Sequence, residues 1–581
     1  MAEASDAPRW ERLVPGVGVL RHYDRSWLRG DLVAGATVTA YLIPQVMAYA
    51  QIAGLPPIVG LWGMIAPLLL YSLLGTSRVL SAGPESTTAI MTAAALGAVT
   101  VSLGPDRWAD VAGLLALLVG GVSLIAWLAR LGFLADLLSK PVLQGYLVGV
   151  AVFMITGQLG TVTRLEVEGD GPLGEVASLA DQLGAIHWAT LGLAAATLAV
   201  VAGLQFFAPR WPGALIAMLL AGAFAAWPLG RSLGLEVIGE VPLGLPAPRL
   251  PDASGIDPVI LLPWAAGIAL VGYSDNVLTG RAFAAKHHHR IDAGQELLAL
   301  GAVNVAAGLT NALPVSSSGS RTVLAHAVGA KSQLYSLVSL VGVVAVLLVA
   351  GPVLATFPLG AMGAIVIFAA LRLVDVGELR RIARFRKSEL VLAVVTAAGV
   401  IVLGVLGGIG VAVAVSLLDL IRRIVRPNAG VLGYVPGIAG MHDVTDWEGA
   451  TQVEGLVVFR YDAPLFFANS DNFLTRATEA VEGAPWPVEW VLVNAEANVE
   501  LDLTAVDALE EFRSSMAGEG IVVAFARLKS ETRELFDDAG LTASVGSNRM
   551  YATLPTAVEA YATAFANKHG RRPRGLPPAA G

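Results

Sequence analysis

The 581-residue chain contains no cysteine. That excludes a disulfide framework and any Cys-ligated metal site, and it leaves the redox compartment unmarked. Charge is scarce as well: Asp, Glu, Lys and Arg make up only 14%, against 55% hydrophobic residues and a mean hydropathy of +0.66. A chain this long could hold several soluble domains, but that balance places most of it in lipid. Residues 1–30 carry Arg9, Arg12, Arg21, Arg25 and Arg29 with no apolar stretch and no small-residue cleavage site. No signal peptide is expected, and the first span acts as the insertion signal. There is no GxxxxGK loop and no nucleophile–base pair, so neither ATP-driven nor hydrolytic chemistry is indicated and the chain does not read as an enzyme. Nothing marks a nucleic-acid partner, and the net charge of -8 says little where charge is divided between two membrane faces.

What is present is a series of apolar runs from about Asp31 to about Ile424, each near the roughly 20 residues a helix needs to cross a bilayer. Seven begin near Leu32, Ile58, Glu85, Val111, Leu137, Ala189 and Ala214, and seven near Leu262, Gln295, Ser318, Leu334, Leu359, Leu390 and Val405. An even number puts both termini on one side. Arg78, Arg130, Arg210, the Arg281 to Arg290 loop, Lys331 and the Arg372 to Lys387 loop fall on that side, so the positive-inside rule predicts cytoplasmic termini and a multi-pass protein of the cell membrane. The expected divisions are a cytoplasmic segment 1–29, a transmembrane domain 30–427, a soluble domain 428–565 and a disordered tail 566–581.

The third and tenth runs differ from the rest. Each is short and follows a polar, Gly/Pro-broken stretch, Ser81-Ala-Gly-Pro-Glu-Ser-Thr-Thr88 in one and Pro314-Val-Ser-Ser-Ser-Gly-Ser-Arg-Thr322 in the other. Irregular backbone at membrane depth survives only where protein or a watery cavity satisfies it. Two interrupted segments at matching places in two halves therefore predict a seven-plus-seven inverted repeat with a central site. Helix N-termini supply unpaired N–H groups and about half a positive charge. Two of them, with the hydroxyls of Ser86, Thr87, Ser316, Ser318 and Ser320 and the charge of Arg321, predict an anion site. The serines also serve as helix caps and small packing residues, the plainer reading of each alone.

An ionisable side chain inside a span is a functional candidate by default. Asp275, with Thr279 one turn along the same face, is the first choice for binding a coupling ion, since a carboxylate beside an anion site repels substrate unless it is protonated or holds a cation. A structural partnership with Arg321 or with half-helix N–H groups is its alternative. Glu85 stands in the first turn of its half-helix, either as a cap or as a proton-binding or gating residue. Gln45 and Tyr49, four apart, share a face of the first span and line the pocket or a helix contact. His287-His288-His289 sits beside Lys286 and Arg290 in a basic loop and reads as solvated rather than as a metal tract. No cofactor is implied beyond a coupling proton or Na⁺.

After Arg426-Pro427-Asn428, strands at Gly455–Tyr461, Trp490–Asn494 and Gly520–Phe525 alternate with amphipathic helical stretches. That alternation predicts a soluble α/β domain of about 130 residues.

With these motifs in place the chain resembles the SulP family of anion transporters, the sulfate permeases related to animal prestin and pendrin, from about Trp27 to about Ala560. The resemblance is carried by Tyr41-Leu-Ile-Pro-Gln-Val-Met-Ala-Tyr-Ala50, Gly54-Leu-Pro-Pro-Ile-Val-Gly-Leu-Trp62, Leu74-Gly-Thr-Ser-Arg78 with Ser81-Ala-Gly-Pro84, and Pro314-Val-Ser with Ser320-Arg321. It implies fourteen spans in core and gate domains, an anion held between the third and tenth half-helices, elevator-like access, a cytoplasmic STAS domain and a homodimer. It implies pocket roles for Gln45, Tyr49 and Glu85, and a substrate end at Ser318, Gly319, Ser320 and Arg321. Asp275 and Thr279 resemble the pair that binds sodium in bicarbonate-transporting members, whose proton-coupled relatives carry a glutamate at the acid position. Glu85 stands where many members have an apolar or hydroxyl side chain, and Gly319 where the sodium-coupled type has threonine, which moves the expectation toward protons. Val499-Glu-Leu-Asp-Leu-Thr-Ala505 resembles the STAS strand-to-helix turn, with Leu503 where related antagonists carry a phosphorylated serine. A regulatory protein or nucleotide at this domain stays open. Sulfate uptake coupled to protons or Na⁺ is the expectation. A bicarbonate or C4-dicarboxylate symporter, an uncoupled anion channel or exchanger, and a nucleobase symporter are the alternatives.

Overall fold

In lipid each backbone N–H and C=O must be paired within its own segment, so apolar runs become helices and end where breakers stand. The computed structural model describes residues 13–99, 107–133, 139–167, 169, 171–208, 211–286 and 290–577. Arg9, Arg12, Arg210, the start expected near Leu137 and the His287–His289 run lie outside them. The first seven spanning helices are α1 (Leu28–Ile52), α2 (Pro57–Leu74), α3 (Ser86–Val99), α4 (Trp108–Leu128), α5 (Lys140–Thr156), α6 (Trp188–Phe207) and α7 (Gly213–Ala226). The second seven are α8 (Pro258–Lys286), α9 (Ala293–Leu309), α10 (Gly319–Val328), α11 (Leu334–Val349), α12 (Leu359–Leu373), α13 (387–403) and α14 (405–425). The last two form one run broken at Gly404, whose φ of 78° and ψ of 175° leave the helix.

Two bundles share the load. Helices α1 to α4 pack with α8 to α11, and α5 to α7 pack with α12, with α13 against α5 at Gly145 and Gly149. Small residues allow this closeness, as lipid supplies no hydrophobic drive between helices. A Cβ at Gly120 of α4 would lie 2.9 Å from the Gly301 carbonyl of α9, and one at Gly308 of α9 would lie 2.7 Å from Gly113 O of α4.

The third and tenth helices have 14 and 10 residues. At 1.5 Å per residue, α10 spans only about 15 Å of a roughly 30 Å hydrocarbon core. Each is preceded by a three-residue strand, β1 (Ser81–Gly83) and β2 (Ser316–Ser318), paired antiparallel with Ser81 opposite Ser318 and Gly83 opposite Ser316. Buried backbone around the pair is satisfied by side chains: Asn304 clamps Val315 through Val315 N–H (2.9 Å) and Val315 O (3.0 Å), and Thr322 Oγ1 accepts from Ser81 N at 3.0 Å. Gly83 has φ 153°, and a Cβ there would collide with the Met64 sulfur.

One expectation changes here. The Arg372 to Lys387 connection is not a plain loop: Val376–Phe385 is an amphipathic helix capped by Asp375, which accepts from Glu378 N at 2.9 Å, with Ile382 buried. A second surface helix, Pro172–Asp181, lies between α5 and α6.

By contacts the chain falls into two compact units, Met1–Ser416 and Leu417–Gly581. In the second, β3 (Ala429–Tyr434), β4 (Met441–Asp443), β5 (Leu456–Tyr461), β6 (Trp490–Asn494), β7 (Val522–Ala526) and β8 (Met550–Tyr551) form one sheet in the order β4-β3-β5-β6-β7-β8, parallel from β5 to β8. The sequence pattern misses β3, β4 and β8: β4 and β8 are short edge strands, and β3, next to the β4 edge, has weak alternation. Separate apolar clusters cover the two faces of the sheet, around Phe473 and Phe512 on one and Tyr561 and Phe565 on the other. Leu503 is 73% exposed at the start of the helix Leu503–Gly518, capped by Asp502.

The tail expected to be disordered is ordered as far as residue 577. The helix Leu554–His569 runs into it, and Arg571 then forms a bidentate pair with Glu454, both bonds 2.8 Å, while Glu454 N and Arg574 O join at 3.0 Å. Bidentate geometry and ring contact with Phe565 make Arg571 a clasp that a compositional reading of Pro, Gly and Arg cannot foresee. The Arg571 guanidinium holds the Glu454 carboxyl down at about 2 from 4.5. A depressed acid stabilises fully above its ordinary range and loses that contribution as pH falls toward its folded value. The clasp should therefore be intact at pH 7 and open only below about pH 4.5. Arg571→Ala in the full chain should speed tryptic cleavage after Arg574 at pH 8 several-fold; cleavage there at the wild-type rate would show that the clasp does not hold the tail.

Candidate anion site

Pairing of β1 with β2 sets the N-termini of α3 and α10 side by side. They open, with α1 and α8, into a cavity of about 530 Å³. Of the expected site residues, Gln45, Tyr49, Glu85, Ser86, Thr87, Asp275, Ser316, Gly319 and Ser320 line it, while Ser318, Thr279 and Arg321 do not. The polar lining belongs mainly to α1, α3, α8 and α10. The facing wall, from α5, α6, α7 and α12, presents Leu147, Val201, Ala214, Ile365 and Phe368, with Gln205 and Arg372 as its polar exceptions.

Arg321 departs from expectation. It does not reach into the cavity: fully buried, it lies behind the two half-helices, donating from Nε to Ser81 Oγ (3.1 Å) and from Nη1 to Pro84 O (3.0 Å) and Gln45 Oε1 (3.3 Å). A buried guanidinium is stable only when its donors are met, and the irregular backbone before α3 supplies the acceptors. Nη2 alone has no partner. Its charge thus acts on the cavity through Gln45, whose Nε2 donates to Tyr49 Oη at 2.9 Å and to Ser320 Oγ at 3.3 Å. Ser318 has the duty of its plainer reading, capping α10 by accepting from Arg321 N at 3.5 Å.

Asp275 is half-buried on α8 and accepts from Ser317 Oγ at 2.7 Å, with the Thr279 hydroxyl also in hydrogen-bonding reach. Among the described residues no cation pairs with it, so a structural partnership with Arg321 is not what holds it. Glu85 folds back onto its own helix: Ser86 Oγ donates to Oε1 at 2.5 Å and Thr87 N to Oε2 at 2.8 Å. The chain's own carboxylate therefore takes donors that an arriving anion would use. Gly319 leaves open space where a Cβ would stand, so the α10 terminus offers bare backbone.

Sequence reasoning passed over three residues. Tyr41 lines the cavity and stands four before Gln45, so extending the Gln45–Tyr49 face by one turn finds it. Arg372, at the end of α12, was read only as a topological charge. Glu296, in the first turn of α9 and 1% exposed, accepts from Tyr71 Oη (2.8 Å), Thr76 N (2.8 Å), Thr76 Oγ1 and Asn276 Nδ2 (2.9 Å). It ties α2, with a π-helical turn at Pro67–Tyr71, to the residue beside Asp275.

The family model "Sulfate permease family" matches residues 28–396, and the STAS domain model matches residues 449–557. The "Probable sulfate transporter" of Mycobacterium tuberculosis strain CDC 1551 is 52% identical over 547 residues, 94% of this chain and 98% of that one. Human solute carrier family 26 member 6 is 31% identical over 483 residues, 78% of this chain and 63% of that one. Among solved structures, the murine solute carrier 26 family member A9 anion transporter superposes with a TM-score of 0.84 at 21% identity, covering 97% of this chain and 96% of that one. The transmembrane domain of a cyanobacterial bicarbonate transporter does so with 0.58 at 21%, covering 66% and 97%. These likenesses show the fold: fourteen spans in two inverted sets of seven and a C-terminal STAS domain.

Proposed function

Since the chain belongs to the sulfate permease family, we propose that it takes up sulfate across the cell membrane by alternating access, coupled to protons or Na⁺ at Asp275. It is an anion transporter and not an enzyme. The observation that carries the finer reading is the one cavity onto which two half-helix N-termini open together with Asp275, a half-buried carboxylate that no cation pairs with among the described residues. N–H groups and hydroxyls hold the anion, in particular those of Ser86, Thr87, Gly319 and Ser320. Asp275 makes that binding conditional on a cation. With polar groups concentrated on the α1, α3, α8 and α10 wall and mostly aliphatic groups opposite, a bound anion moves with the first wall while the second offers little to hold it back. Two copies of the chain, with termini in the cytoplasm as the arginine distribution indicates, form the working assembly.

Purified protein in liposomes, given labelled sulfate, bicarbonate and fumarate under separate pH and Na⁺ gradients, tests this. Saturable sulfate uptake that follows one cation gradient supports the reading, and flux that follows neither gradient rejects it.

Arg372 enters as a recruiting charge. Among the described residues it is the one basic side chain on the cavity lining, and it is exposed. A charge in that position raises local anion concentration in a salt-dependent way without joining the transfer step. Arg372→Ala should raise the KM for sulfate about fivefold at low ionic strength, less at high salt, with kcat little changed. An unchanged KM would remove it from this role.

A further inference from the structure

A second cavity, of about 540 Å³, lies on the same seam of helices beyond the first. Both are lined by α1, α3, α5 and α8, but from successive stretches: Glu85 to Met91 of α3 face the first, and Ile90, Ala93 and Ala94 the second. From Glu85 to Ala94 is about 13 Å along the helix. Val150 of α5 and Ala265 of α8, both fully buried, fall between the two cavities along their helices.

The linings have opposite chemistry. The first cavity has half-helix N–H groups and Arg372. Among the described residues the second has no lysine or arginine, and two of its oxygens, Gln158 Oε1 and Glu175 Oε2, are buried without a donor. Gln158 is 6% exposed. The break at Gly404 also lines it, and backbone there leaves the helical hydrogen-bond ladder, a feature used by membrane proteins to coordinate small cations. Burying a carboxylate oxygen without a donor is costly, and a bound cation removes that cost. Oxygen acceptors alone suit a hard monovalent cation.

We propose that Glu175 and Gln158 form a loading site for the coupling cation, Na⁺ or a proton, at the end of the seam away from the anion cavity. This rests on the reading of transport as cation-coupled. Among the described residues Glu175 is the one ionisable group lining the cavity. Its helix carries Asp181 and packs on α5 and on Leu159–Thr163. Of the ionisable groups on those elements, Arg164 pairs with Glu236, Lys140, at the far end of α5, pairs with Glu378, and Tyr146 also lies farther along α5, while Glu166, Glu168 and Asp170 precede the helix in sequence.

Because the chain lacks cysteine, Ala94→Cys gives a unique thiol inside this cavity for an environment-sensitive fluorophore. In the full-length labelled protein, a Na⁺ titration at pH 8 and a pH titration in choline distinguish the two cations. A saturable response to one of them is expected, weakened about tenfold or more by Glu175→Gln and by Gln158→Leu and kept within about twofold in Asp275→Asn. A thiol that cannot be labelled, no response to either cation, a response indifferent to both variants, or one abolished by Asp275→Asn would each overturn the proposal. Sulfate uptake driven by a cation gradient in the unlabelled wild type, measured beside it, shows whether the parent reading fails separately.

Discussion

Asp275→Asn should lower gradient-driven sulfate uptake into proteoliposomes about 100-fold, the upper range of a coupling free energy of 1–3 kcal/mol, while sulfate-for-sulfate exchange continues. Asparagine keeps the side chain's size and can still accept from Ser317 Oγ, so the hydrogen bond that fixes α8 against β2 persists. What disappears is the charge. In the wild type an ionised Asp275 and an incoming anion share one cavity, and like charges at such spacing in a poorly hydrated site repel strongly. A proton or Na⁺ on Asp275 removes the repulsion, so cation and anion each favour the other's binding, as reciprocity requires. The asparagine protein is fixed in the state that a bound cation creates: it accepts the anion with no cation present and has nothing to couple. Exchange needs only occupied transitions in both directions and survives. Uphill, cation-driven uptake by Asp275→Asn at the wild-type rate would move the coupling site elsewhere. Loss of exchange as well as uptake would make Asp275 a structural residue, a result a melting-temperature comparison would then corroborate.

Much of this geometry was legible because membrane sequences punctuate strongly. Pro84, Gly83 and the run Ser316–Ser318 cannot continue a lipid-facing helix, so the interruptions stood out. The starts inferred at Leu334 and Leu359 coincide with those of α11 and α12. Direction was harder to read. Arg321 looked like a charge aimed at substrate, yet a guanidinium with five donors is drawn to whichever carbonyls lie nearest, and Pro84 O and Ser81 Oγ lie behind the half-helices, contributed by a segment some 240 positions away. Periodicity within one segment does not report such partners. Glu296 was silent for the same reason, since its donors come from α2, α8 and the connection after α2. The Arg571 clasp was hidden because composition describes a free tail and cannot register one well-formed bidentate pair.

The same logic gives Glu85→Gln the opposite sign to most changes at a binding site: it should tighten sulfate binding at pH 7 about tenfold, ~1.4 kcal/mol, and slow net transport. In the structure the Glu85 carboxylate sits on Thr87 N and Ser86 Oγ, where the N-terminal field of α3 is strongest. An anion competes with it for those donors and meets its negative charge as well. Glutamine can still bond to Thr87 N through its carbonyl oxygen, so the helix stays capped, but the tether is neutral and more readily displaced. Tighter ground-state binding then holds the anion when it ought to leave, and turnover falls as affinity rises. Isothermal titration of the detergent-solubilised variant, paired with initial uptake rates, separates the two effects. Weaker binding by Glu85→Gln would mean that the carboxylate supports the anion site instead of occupying it, and unchanged binding would mean that sulfate never reaches the end of α3.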